Sequence, residues 1–267
     1  MNDGKKSDIP PFELHKNIFF VGSSKVSVHI LKTEKGLIMI DSGFPDMFEQ
    51  ILDSMRCLGL DIRDVIAIFH SHGHIDHCGC TLRFKELSGA KTYISRIDND
   101  IINGKHDLSW AKELNLEPLP FFNCDVLVED GDCFQFGSFY IRCRLTPGHT
   151  DGVLSFFITF KSNFPIIAAM HGGVGLNSMT REFLTEYGLS FNCRCIFRNG
   201  LHTLANESVD LVLGNHPEQN DTPEKRKRVL NNQRATDPTE WKRFLKETEK
   251  KLDELINSEQ NQNMHLR

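Results

Sequence analysis

The sequence predicts an α/β fold in which helices cover β-sheets. Short runs rich in β-branched and aromatic residues alternate with stretches whose apolar residues recur every three or four positions. The strand runs end in polar loops, as expected of sheets flanked by helices. The composition is that of a globular chain, 39% hydrophobic and 25% charged over 267 residues, long enough to bury a sizeable core.

Residues 19–21, 26–31 and 37–40 read as short strands, with Lys35-Gly36 as a turn between the last two. Asp41-Ser42-Gly43 follows the third directly. A helix begins near Asp46: Phe48, Ile51, Leu52, Met55 and Leu58 share one face, and Gly59 stops it. Residues 65–69 form a buried strand, followed by a histidine-rich loop, a helix over 81–87 and a strand over 92–95. The stretch 97–123 reads as a loop over a surface, with residues 110–114 helical and Trp110, Phe121 and Phe122 placed to line a substrate mouth. Strands 126–128 and 133–136 flank a tight turn at Glu129-Asp130-Gly131-Asp132, and Gly137 turns the chain into strand 139–145. Strands 153–159 and 166–170 come next, then a mostly helical region over 178–205 and a strand over 209–213.

The polar stretch 218–236 reads as a loop or weak helix, its run Lys225–Arg228 as a solvated face. Asp237-Pro238-Thr239-Glu240 starts a helix: a capping Asp, Pro at the first position and Glu three residues on. Trp241, Phe244, Leu245, Leu252, Leu255 and Ile256 give this C-terminal amphipathic helix, 238–256, one apolar face. That face either packs on a sheet or joins a homodimer. Residues 257–267 are polar and expected to fray.

Several function classes are disfavoured. Lys and Arg number 31 against 36 Asp and Glu, so the net charge is −5 and nucleic acid is not the expected partner. The longest clean apolar runs, 65–69 and 166–170, are five residues each, against about 20 for a membrane-spanning helix. No apolar stretch follows the N-terminal lysines, so the expected location is the cytoplasm. The eight cysteines offer no paired metal-binding spacing and read as reduced core or loop residues.

The histidines carry the chemistry. Residues 70–77 read His-Ser-His-Gly-His-Ile-Asp-His, four of the chain's twelve histidines in eight positions, with a carboxylate among them. Imidazole nitrogen and carboxylate oxygen suit borderline metals such as Zn²⁺. One ion cannot easily take four ligands from so short a loop, but two adjacent ions can: His72 and His74 for one, Asp76 and His77 for the other. His149 and His216 each follow a predicted strand, where a sheet delivers side chains to one edge. His70 reads as structural, and His15, His29, His106, His202 and His265 have no partner pattern.

The segment Ser71-His72-Gly73-His74-Ile75-Asp76-His77-Cys78-Gly79 resembles the signature of the metallo-β-lactamase superfamily. Ile38-Met39-Ile40-Asp41-Ser42-Gly43, Glu129–Asp132 and Thr146-Pro147-Gly148-His149-Thr150-Asp151-Gly152 resemble its other motifs, in family order, over roughly residues 15–220. The resemblance implies an αββα sandwich, two mixed sheets flanked by helices, with the metals at one edge, and a single hydrolase domain over 1–267. It implies His72, His74 and His149 on one zinc and Asp76, His77 and His216 on a second, closest to subclass B3. Iron or manganese are the alternative metals for such a site. By the same resemblance Asp41 holds the ligand loop, and Asp76 both binds metal and orients a metal-bound hydroxide that attacks a small-molecule carbonyl. Where glyoxalase II-like enzymes and RNase Z carry a bridging Asp, this chain has His171, read as a group supporting the ligands or as an extra ligand. A cyclic amide or ester, such as a β-lactam or lactone, is the expected substrate. Thioester or phosphodiester hydrolysis, and a mononuclear iron oxidoreductase similar to persulfide dioxygenases, are the alternatives.

Overall fold

Alternation along the fourth strand sets the architecture. Ile38 and Ile40 point to one face and Met39 to the other, all three fully buried, so this sheet is covered on both sides. The computed structural model describes residues 9–163 and 165–265, excluding side chains from 263 onward. Seven strands form the first sheet in sequence order: β1 (Phe12–His15), β2 (Ile18–Phe20), β3 (His29–Thr33), β4 (Gly36–Ile40), β5 (Val65–Phe69), β6 (Lys91–Ser95) and β7 (Val126–Val128). The first four run antiparallel, and β4 to β7 are parallel neighbours. The second sheet holds β8 (Cys133–Phe136), β9 (Phe139–Leu145), β10 (Leu154–Phe160), β11 (Ile166–Met170) and β12 (Leu211–Val212). It is antiparallel except where β11 meets β12.

The inner faces close on each other through Phe20, Ile38, Phe69, Ile141 and Phe156. Outside the first sheet, α1 (Phe48–Cys57) and α3 (Thr81–Ser88) cover Met39 and Ile68 with Ile51, Leu52, Met55 and Phe84. Outside the second, α6 (Cys193–Leu204) and α8 (Glu240–His265) cover Phe157, Ala169 and Val212 with Phe197, Leu201, Trp241 and Leu245. The layers are therefore helix, sheet, sheet, helix. Four further α-helices are α2 (Ile75–Cys78), α4 (Asn99–Ile102), α5 (Arg181–Glu186) and α7 (Thr222–Leu230). Among the described residues no helix is long and apolar enough to cross a membrane.

The structure departs from the sequence reading where tertiary contacts override local pattern. Residues 178–205 are mostly helical as read, but in two helices, because the chain turns through Gly188 at φ +62°. Residues 110–114 form turns, and the helix of this region lies earlier, at α4. The C-terminal helix continues to His265 instead of fraying at 257; Leu266 and Arg267 lie outside the described residues, as does the side chain of His265. The run Lys225–Arg228 is not wholly solvated. Lys225 is buried in α7, its ammonium donating to the Val212 carbonyl (2.6 Å) and to Glu240 (2.7 Å). The long side chain ties both helices to the end of β12. Every cysteine is free.

Candidate metal centre

The ligand-bearing segments meet at one edge of the sandwich because the parallel strands deliver their following loops there. The loop after β5 carries His72 and His74, and α2 carries Asp76 and His77. Gly79 lets α2 press against the turn after β4: its amide donates to Gly43 O at 2.9 Å, and a Cβ there would stand 2.5 Å from that oxygen. His149 comes from the β9–β10 turn and His216 from the loop after β12.

Two triads result. The ligand atoms of His72, His74 and His149 lie within 4.8 Å of one another, as do those of His72, Asp76 and His77. His72 belongs to both. His216 stands at the rim, its Nε2 3.5 Å from Asp76 Oδ2 and its ring 5.2 Å from that of His77. The distant histidines 149 and 216 thus converge on the 72–77 segment.

The outer nitrogens show what the inner ones are free to do. His77 Nδ1 donates to Asp41 Oδ2 (2.8 Å), His149 Nδ1 to Gly175 O (2.7 Å) and His216 Nδ1 to Lys25 O (2.7 Å). Each of these bonds fixes the tautomer and leaves the Nε2 lone pair for a cation. His72 Nδ1 meets Ser71 Oγ at 3.0 Å, and that hydroxyl donates on to Asp41. His72 Nε2 and His74 Nδ1 face each other at 3.1 Å. His77 Nε2 is buried without a hydrogen bond, 3.3 Å from Asp76. A buried ring nitrogen without a partner beside a carboxylate, and a second pair of ring nitrogens in contact next to it, fit a metal.

The electrostatics agree. Burial, with the neighbouring imidazoles, holds His72 and His74 well below the ordinary histidine range, and burial pushes His149 down to about 4. These rings are neutral, the form that binds metal. Burial also opposes charge on His77, but Asp76 and Asp41 outweigh it and raise His77 to about 10. Positive charge is favoured between those carboxylates.

Asp41 is 1% exposed and ties the ligand loop together, accepting from Ser71 N (2.7 Å), Ser71 Oγ and His77. His171 is buried but belongs to neither triad. Its Nδ1 accepts from Gly173 N, its ring packs 5.7 Å from Phe197, and burial pushes it down to about 3. Trp110 lies 5.7 Å from His74 and stacks on Phe183 at 5.2 Å. Phe121 and Phe122 line a separate hollow of about 200 Å³ beside Gly73.

Sequence reasoning missed two supports. His29 donates to Gly214 O (3.1 Å), and Ser27 N to Asn215 O, bracing the loop that carries His216. Asp98 is fully buried and accepts from Gly73 N (2.9 Å) and Thr150 Oγ1 (2.6 Å), clamping the His72–His74 loop to the residue after His149. No local pattern in Ile97-Asp98-Asn99 marks it. Asp98→Ala is expected to weaken metal affinity about 10- to 100-fold, read by chelator competition. Unchanged affinity would remove Asp98 from this role.

A family model described as the metallo-beta-lactamase superfamily matches residues 21–162. The chain belongs to this superfamily. BJP-1, a subclass B3 metallo-beta-lactamase of Bradyrhizobium japonicum, superimposes with a TM-score of 0.85 at 24% identity, covering 97% of each chain. Among curated relatives, an uncharacterized protein of Aquifex aeolicus is 32% identical over 135 residues, 50% of this chain and 60% of its own length. The probable polyketide biosynthesis zinc-dependent hydrolase BaeB of Bacillus velezensis is 26% identical over 130 residues, 48% of each. The chain thus spans about half the length of these two curated relatives.

Proposed function

We propose that this chain is a dinuclear zinc-dependent hydrolase, one catalytic domain acting on a small-molecule amide or ester, with a β-lactam or lactone ring as the first candidate. The observation that carries this reading is the pair of triads sharing His72 within 4.8 Å. Two divalent cations there would supply an acidified water and a polariser for the substrate carbonyl. His72, His74 and His149 would hold the first; Asp76, His77 and His216 the second. Asp76 Oδ2, between the His77 and His216 rings, would orient the attacking water and bind metal. Asp41, through Ser71 and His77, keeps the ligand loop in register. Trp110, stacked on Phe183, flanks His74. His171 would support the ligand shell from beneath.

The test is metal content measured with a panel of a chromogenic cephalosporin, lactones, thioesters and bis-phosphodiesters. The expected result is about two zinc ions per chain and turnover of a cyclic amide or ester that chelation abolishes and zinc restores. Iron near one per chain, with none of the panel hydrolysed, would overturn the reading.

A further inference from the structure

A cavity of about 560 Å³ opens beside the first triad, with His74 and His149 in its wall. One part of its wall is apolar, and the rest carries polar and charged groups. Phe183 and Leu184 of α5, Leu189, and Ile196 of α6 line one side, and Ile97 faces them from the loop after β6. Ile97 is 47% exposed and Ile196 40%. Both leave hydrocarbon facing the opening instead of the core.

Carboxylates outnumber cationic side chains in this wall, which also holds His106. Asp98, Asp100 and Asp151 line it, against a single Arg96. Arg96 is engaged by Glu129 at 2.5 Å, and the nearby Lys105 is held on Asp100 at 2.7 Å. Asp151 is exposed and makes no ion pair among the described residues. A substrate tail bearing a carboxylate would meet carboxylates here and find no unengaged arginine or lysine in the lining. An aliphatic tail would bury itself against four aliphatic side chains and a phenyl ring.

Resting on the hydrolase reading above, we propose that the substrate is an uncharged carbonyl compound, an ester, lactone or amide, whose aliphatic chain occupies this cavity while the carbonyl faces the triads. The geometry assigns selectivity to the cavity wall: chain length is read by Ile97, Leu184 and Ile196, and anionic tails are rejected by Asp151, the exposed carboxylate of the lining with no ion pair among the described residues.

The test is calorimetric binding to the zinc-loaded protein of straight-chain methyl ketones, which have no leaving group, from 2-butanone to 2-decanone. Affinity is expected to rise about three- to fourfold per methylene until the cavity is full. 9-Oxodecanoate, the same chain ending in a carboxylate, is expected to bind at least about tenfold more weakly than 2-decanone, as a like-charge penalty of roughly this size implies. Ile196→Asp should flatten the chain-length dependence while zinc content stays at the wild-type value. Affinity independent of chain length, tighter binding of the carboxylate, or an unflattened slope in Ile196→Asp would each overturn the proposal. Because the probe is not hydrolysed, these outcomes are separate from failure of the hydrolase reading, which metal content and the hydrolysis panel decide.

Discussion

Replacing His72 with alanine is expected to abolish metal binding and turnover together. His72 is the one residue common to both triads, and its ring lies 4.7 Å from His149 and 4.2 Å from His77. Removing it takes a ligand from the first site and opens a gap at the point where the two clusters meet. Loss of a single oxyanion donor in a hydrolase costs about 10²–10³ in rate. Loss of the metals removes both the nucleophile and the carbonyl polariser, so the fall should exceed about 10³. Metal analysis after dialysis and hydrolysis rates on the same sample check this. His202→Ala is the control: that exposed ring pairs with Glu249 of α8 at 2.7 Å and belongs to neither triad. It should change neither readout. Full metal content and full rate in His72→Ala would sink the ligand assignment.

The contrast between His72 and Asp98 shows what this sequence discloses. Ligand spacing within 72–77 is local, so four side chains that share a metal edge stand next to one another in the chain. His149 and His216 were legible because each follows a strand, and strands of a layered fold end at a common edge. That helices cover sheets was likewise legible, since β4 and β5 are continuous apolar runs while α1 and α8 carry a single apolar face; the αββα order itself came from the family resemblance. Supports acting across the fold were not legible. Asp98 reaches back 25 residues to Gly73 and forward 52 to Thr150, and His29 reaches 185 residues to Gly214; nothing in their neighbours in sequence marks either. The burial of Lys225 in α7, a stretch read as a loop or weak helix, escaped for a related reason. Its polar run looks solvated until the end of β12 and Glu240 supply buried partners for Lys225.

Asp41 permits the sharpest separation of folding from metal chemistry. Asp41→Ala is expected to destabilise the protein by about 3–5 kcal/mol, because it leaves the buried His77 ring and the Ser71 donors without their acceptor. Position 41 has φ +59°, a left-handed conformation that disfavours alanine by a further ~1 kcal/mol or more. Asp41→Asn avoids both costs in part: Asn tolerates that backbone and its carbonyl can still accept from Ser71 N. Its amide NH₂, however, then stands where Oδ2 accepted from His77 Nδ1. A donor facing Nδ1 forces the proton onto Nε2, and that N–H points at Asp76 where the lone pair should be. Asp41→Asn is therefore expected to fold, to retain the metal of the His72–His74–His149 triad, and to lose the other. Stoichiometry should fall toward one ion per chain, and kcat/KM should drop by about 10²–10⁴, the scale on which a wrong-tautomer histidine fails elsewhere. Nitrogen-15 NMR of the His77 ring reads the tautomer directly. If Asp41→Asn keeps two metals, the Nδ1–H tautomer and the full rate, then Asp41 sets the shape of the turn and not the state of the ligand.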